Sequence, residues 1–145
     1  MKTNKIDHLC IAVKDLDAAR NVWELIIGKL EPDDPYIDES EKIRVARYWL
    51  GGIGFELMES TTPDGRVTKW IAKNGEGVMI ISFNVDNTRK AIKELESKDY
   101  SFILAPGGEK TRSFRNCEFA FIHPKKVNNV LLELIDYKWD ELKEK

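Results

Sequence analysis

His8, Glu56 and Glu133 carry the side chains of this sequence best suited to chemistry at a fixed centre. An imidazole can ligate a metal or carry a proton, and a carboxylate can do either. All three lie in alternating apolar and polar runs that read as β-strands, far apart along the chain. What brings them into one argument is an internal repeat. The stretch Ile6-Asp7-His8-Leu9-Cys10-Ile11-Ala12-Val13-Lys14-Asp15 has a second copy in Ile80-Ile81-Ser82-Phe83-Asn84-Val85-Asp86-Asn87, and Ile80 stands where the repeat aligns with His8. Glu56 and Glu133 hold matching places on later strands. Twofold symmetry between the copies would therefore bring His8, Glu56, Ile80 and Glu133 to four corners of a shared groove.

Three of those corners are donors for a divalent ion, and isoleucine is not. An oxygen-rich set of His8, Glu56 and Glu133 suits Mn²⁺ or Mg²⁺ better than a soft ion, with Co²⁺ and Zn²⁺ as the other candidates. Without metal, Glu56 and Glu133 become like charges converging on one cavity, at least one of them shifted toward its protonated form. Either then serves as acid or base. Cys10 and Ser82, two residues along from His8 and Ile80, line the same face, and Ile80 makes the groove more apolar. Arg47 and Trp49 share one face of their strand, where a guanidinium and an indole can hold an anionic or planar ligand. Cys10, Arg47, Trp49, Ile80 and Ser82 are accordingly the expected substrate-binding residues.

The elements that must position these groups follow from periodicity. Residues 5–13 alternate as a strand, with Leu9, Ile11 and Val13 toward a core and His8, Cys10 and Ala12 on the opposite face. Asp15 caps a helix over about 16–28, with Ala18, Val22 and Ile26 as its apolar stripe beside Trp23 and Leu25, and Gly28 as its stop. Residues 31–42 are acidic, contain Pro32 and Pro35, and read as a loop with a short edge strand around Tyr36-Ile37. Ile43–Leu50 and Ile53–Glu59 form a hairpin about Gly51-Gly52. A connector, 61–77, contains a short helix over Val67–Lys73. The second half then runs as a strand (Val78–Val85), a helix (Asn87–Lys98) and three strands (Tyr100–Leu104, Cys117–His123 and Val130–Asp136). Ala105–Arg115 is a polar, Gly-rich, basic loop that either closes over a ligand, contacts a phosphate or is simply solvated. Trp139–Lys145 reads as a short exposed helix, and His123 as a structural residue of a His-Pro turn.

The order β-α-β-β-β thus appears twice, over about 4–60 and 78–137. The expected fold class is α+β: two paired modules forming a concave mixed-sheet groove, helices on the outer face, within one domain of 145 residues. With 23 Lys and Arg against 25 Asp and Glu, a net charge of −2 excludes the basic face that nucleic acid demands. No apolar run is long enough to span a bilayer, and two isolated cysteines, Cys10 and Cys117, suggest buried thiols in a cytoplasmic protein.

Several stretches, in this order and spacing, resemble the vicinal oxygen chelate superfamily of glyoxalase, bleomycin-resistance and dioxygenase proteins, and most of all its methylmalonyl-CoA epimerase branch. They are Ile6-Asp7-His8 through Val13-Lys14-Asp15, Gly51 through Phe55-Glu56-Leu57-Met58-Glu59, and Lys69-Trp70-Ile71-Ala72-Lys73 with Gly75-Glu76-Gly77. Phe121-Ile122-His123-Pro124-Lys125 and Val130-Leu131-Leu132-Glu133-Leu134 complete the set. The resemblance covers about residues 5–137. It implies metal positions at His8, Glu56, Ile80 and Glu133, with Met79-Ile80 standing where the epimerases usually carry two histidines. It also implies an isomerase or lyase acting by proton transfer next to the carbonyl of a small carbonyl or acyl-CoA ligand, in a homodimer. The alternative is a metal-free protein that uses the same groove to bind or sequester a small apolar molecule.

Overall fold

In the computed structural model of this chain, residues 1–137 are described; the helix expected over Trp139–Lys145 lies outside them. Nine strands and three α-helices make the described fold α+β. The chain divides into two compact units, His8–Met79 and Met1–Asp7 together with the segment from Ile80 onward.

In the first unit, β1 (Thr3–Ala12, from His8 onward) leads into α1 (Leu16–Ile27) and then β2 (Asp34–Asp38), β3 (Ile43–Leu50) and β4 (Ile53–Ser60). The strands lie in the order β2-β3-β4-β1, antiparallel except for the parallel β4/β1 pair. The Asp15 carboxylate accepts from the Ala18 N–H at 3.1 Å, and Gly28 ends α1 in the left-handed conformation that glycine takes without a Cβ penalty. Gly51, at φ 67°, makes the hairpin turn. The helix α2 (Arg66–Asn74) occupies the expected connector.

One expectation for α1 fails. Leu16 is buried, and Ala19, Trp23 and Ile27 pack on the core of Val13, Leu16, Ala46, Tyr48 and Leu57. Val22 and Ile26 of the expected stripe face outward, 57% and 70% exposed. The indole of Trp23, 4.9 Å from the ring of Phe55, sets the helix rotation. A seam through 16, 19, 23 and 27 is itself a continuous helical stripe, so periodicity alone allowed both.

The second unit repeats the wiring with β5 (Gly77–Val85, from Ile80 onward), α3 (Thr88–Glu96), β6 (Phe102–Ile103), β8 (Cys117–Ile122) and β9 (Leu131–Ile135), ordered β5-β9-β8-β6. The β5/β9 pair is parallel and the others antiparallel. Asn87 caps α3 by accepting from the Lys90 N–H at 2.9 Å, as Asp15 caps α1. Ala91 and Ile92 bury against Val85, Phe102, Ala120, Ile122 and Leu134. The expected loop 105–115 contains a further strand, β7 (Arg112–Phe114), paired with β8. Its cations are engaged in the fold: Lys110 with Glu96 at 2.5 Å, Arg112 with the Leu104 carbonyl at 3.2 Å, and Arg115 with the Tyr137 hydroxyl at 3.0 Å. His123 accepts at Nδ1 from the Lys125 N–H and caps a single 3₁₀ turn, Pro124–Lys126.

Candidate functional site

Strand register builds a charged cluster on the sheet face of the first unit opposite the core of α1. Because side chains alternate along a strand, His8 and Cys10 project to the same side of β1. The parallel pairing sets Cys10 beside Glu56 of β4. The hairpin sets Arg47 of β3 opposite Glu56, and β2 sets Asp34 opposite Arg47. Tyr36, two residues from Asp34, faces the same way.

The contacts follow that register. Arg47 Nε donates to Glu56 Oε2 at 2.6 Å, one Nη of Arg47 donates to the Tyr36 hydroxyl at 3.0 Å, and the other reaches Asp34 at 3.4 Å. Tyr36 Oη donates to Glu56 Oε1 at 3.1 Å, and Cys10 Sγ lies 3.5 Å from the same oxygen. His8 Nε2 is 3.9 Å from Glu56 Oε2. The guanidinium also lies over the rings of Tyr36 and Trp49, at 4.8 and 5.4 Å. His8, Cys10, Arg47 and Glu56 are all buried, Glu56 at 1% exposure.

Burial is the largest single influence on the Glu56 carboxyl and pushes it upward, and it takes the charge of Arg47 together with further partners to outweigh it. The charge of His8 and the hydrogen bonds from Arg47 and Tyr36 add to that effect, and the carboxyl ends below its ordinary value of 4.5. Of the two glutamates, Glu56 is therefore not one shifted toward protonation. Opposite charge placed directly across the hairpin is the reason.

The second unit holds the repeat-related residues in a different arrangement. Ser82 of β5 pairs in parallel register with Glu133 of β9, as Cys10 pairs with Glu56. The Ser82 hydroxyl donates to Glu133 Oε1 at 2.7 Å. Ile80 is buried at the position matching His8. Phe121, opposite Glu133 on β8, takes the place that Arg47 has opposite Glu56.

Three donors of the first unit, on His8, Cys10 and Glu56, lie within 4.8 Å of one another. One imidazole nitrogen, one sulfur and one carboxylate oxygen, all buried, fit a divalent ion of the first transition row. Among the expected residues, the structure joins Cys10, His8, Arg47, Trp49 and Glu56 in one unit, and Ser82 with Glu133 in the other. Tyr36 and Asp34 were not foreseen as site residues. Their signal was available: counting outward from Gly51-Gly52 places Arg47 opposite Glu56, and an edge strand at Tyr36 then brings a hydroxyl to both.

A family model, the Glyoxalase/Bleomycin resistance protein/Dioxygenase superfamily, matches residues 7–121. The uncharacterized protein YqjC of Bacillus subtilis (strain 168) is 29% identical, over 95% of this chain and 96% of that protein. The mitochondrial methylmalonyl-CoA epimerase of Mus musculus is 27% identical, over 92% of this chain and 73% of that protein. A Streptomyces coelicolor methylmalonyl-CoA epimerase variant solved with 2-nitronate-propionyl-CoA superposes with a TM-score of 0.82 at 29% identity, covering 92% of this chain and 97% of the other.

Proposed function

This chain belongs to the glyoxalase/bleomycin resistance/dioxygenase superfamily, and on that premise we propose that it binds an acyl-CoA-type thioester and transfers the proton next to the carbonyl. The observation that carries the proposal is one buried glutamate per module, each in register with a side-chain hydrogen-bond donor: Glu56 with Cys10, and Glu133 with Ser82. Proton transfer at the carbon beside a carbonyl needs a base held near that carbon, and a second acid–base group if the configuration is to invert.

The two carboxylates are unequal in this role. Glu56 is held as an anion by Arg47 and Tyr36, which lowers its basicity. Glu133, with one oxygen fixed by the Ser82 hydroxyl, is the group assigned to remove the proton. Arg47 and Tyr36 fix the Glu56 carboxylate in place. A divalent ion, when bound, supplies a Lewis acid for the negative charge that develops on the carbonyl oxygen. His8 and Glu56 are the residues that would hold it.

The relatives named as methylmalonyl-CoA epimerases make that thioester the first to test. Incubated with methylmalonyl-CoA in D₂O, the protein is expected to wash deuterium into the carbon between the two carbonyl groups, followed by proton NMR. Exchange no faster than the protein-free control for this and for shorter and longer acyl-CoA thioesters would refute the proposal.

A further inference from the structure

We infer that Cys10 is a metal ligand, completing with His8 and Glu56 a nitrogen, sulfur and oxygen set that takes a Zn²⁺-like ion in preference to Mn²⁺ or Mg²⁺. This deepens the candidate cation site described above and does not depend on which thioester the chain accepts.

The three donor atoms lie within 4.8 Å of one another, with Cys10 Sγ 3.5 Å from one Glu56 oxygen and His8 Nε2 3.9 Å from the other. A tetrahedral centre with bonds of about 2.0–2.3 Å separates neighbouring ligands by roughly 3.3–3.8 Å. Closing on an ion therefore asks the donors to draw in by up to about 1 Å around one Glu56 oxygen. The β1 pleat and the Cys10–Glu56 register, and not a flexible loop, set these positions.

Arg47 already balances Glu56, so a dication held by His8 and Glu56 alone would add two positive charges beside a guanidinium. The thiolate of Cys10 supplies a further anion at the cluster. Coordination removes the Sγ proton to water and forms a sulfur–metal bond, with no change of oxidation state. Arg47 and Tyr36, at 2.6 and 3.1 Å from the carboxylate oxygens, hold Glu56 as hydrogen-bonded partners hold ligating carboxylates elsewhere.

Thiolate selects zinc-like ions over the hard ions that carboxylates alone would favour. Cys117 is the internal control, since its Sγ donates to the Phe114 carbonyl at 3.0 Å within the other unit.

Cobalt titration of untagged, chelator-stripped protein reads the sulfur directly. One Co²⁺ per chain is expected, with a thiolate-to-cobalt charge-transfer band in the near ultraviolet. The band survives Cys117→Ser and disappears in both Cys10→Ser and Cys10→Ala, whose folding is checked by circular dichroism. Competition with a chromophoric chelator is expected to show Zn²⁺ bound more tightly than Mn²⁺. Cys10→Ala should weaken Zn²⁺ by more than about 100-fold, beyond the effect of a residue that only orients a ligand. Cobalt binding without the band, a band that persists in a folded Cys10→Ala, or no binding at all would each overturn the assignment. Deuterium exchange into the thioester is measured separately, so exchange without metal binding would leave the proposed reaction standing.

Discussion

The two modules share a scaffold and differ in how they hold a buried carboxylate. In the first, Glu56 faces Arg47 across a hairpin and is surrounded by Tyr36, Cys10 and His8. In the second, the residue opposite Glu133 is Phe121, the residue matching His8 is Ile80, and Ser82 donates from the position matching Cys10. The backbone register is the same in both; the residue set opposite the carboxylate is not. A duplicated fold therefore fixes where a carboxylate goes without fixing what it does. The arginine opposite Glu56 locks that carboxylate in place, whereas a hydroxyl donates to Glu133 from the neighbouring strand.

The largest test of that contrast is catalytic. Glu133→Gln is expected to slow deuterium exchange into the thioester by about 10²–10⁴-fold, the usual contribution of a general base, and Glu56→Gln by less. Equal losses would erase the distinction between anchor and base.

Stability should divide the other way. Arg47→Met leaves Glu56 buried without its main counter-charge and is expected to cost about 3–5 kcal/mol in urea unfolding. Acid adds a sign to the same test. The folded Glu56 carboxyl lies below its ordinary value of 4.5, so its stabilising contribution is complete above that value and is lost as pH falls through the lower folded value. Arg47→Met should therefore unfold at a higher pH than wild type in an acid titration followed by circular dichroism. In the other module, Ser82→Ala removes one hydrogen bond to a carboxylate and is expected to cost about 1.5–3 kcal/mol.

The smallest effects should show what the modules keep in common. Asp15→Ala and Asn87→Ala each delete a cap in the same geometry and should each cost about 1 kcal/mol, measured by thermal unfolding. A large difference between them would mean that the repeat is less regular than its hydrogen bonds.

Much of this was legible in the sequence. Alternation located β1, β3, β4, β5, β8 and β9, Gly51-Gly52 located the hairpin, and the repeat singled out His8, Glu56, Ile80 and Glu133. The rotation of α1 was not legible, because two overlapping apolar stripes run along it and the packing of Leu16, Ala19, Trp23 and Ile27 on the core chooses between them. Strand β7 was missed because Arg112–Phe114 is too short to show alternation and lies among glycines and cations that signal a loop. The state of Glu56 was missed for another reason. Reading Arg47 and Glu56 as separate ligand contacts overlooked that the hairpin places them face to face.

Residues Met1–Asp7 belong with the unit that begins at Ile80. Asn4 donates to Asn84 and Asp86 at 3.2 and 2.8 Å, Asn84 donates to Asp7 at 2.8 Å, and the Met1 ammonium meets Glu94. On the ribosome these first residues emerge before any of their partners. They must wait, unpaired, while the chain from His8 to Met79 is made and free to fold. Completion of the second unit then requires closing a loop of most of the chain's length, a slow step for a protein of this size. An extension fused to the amino terminus would load that closing step, and its cost would appear as slower refolding before it appeared as lower activity.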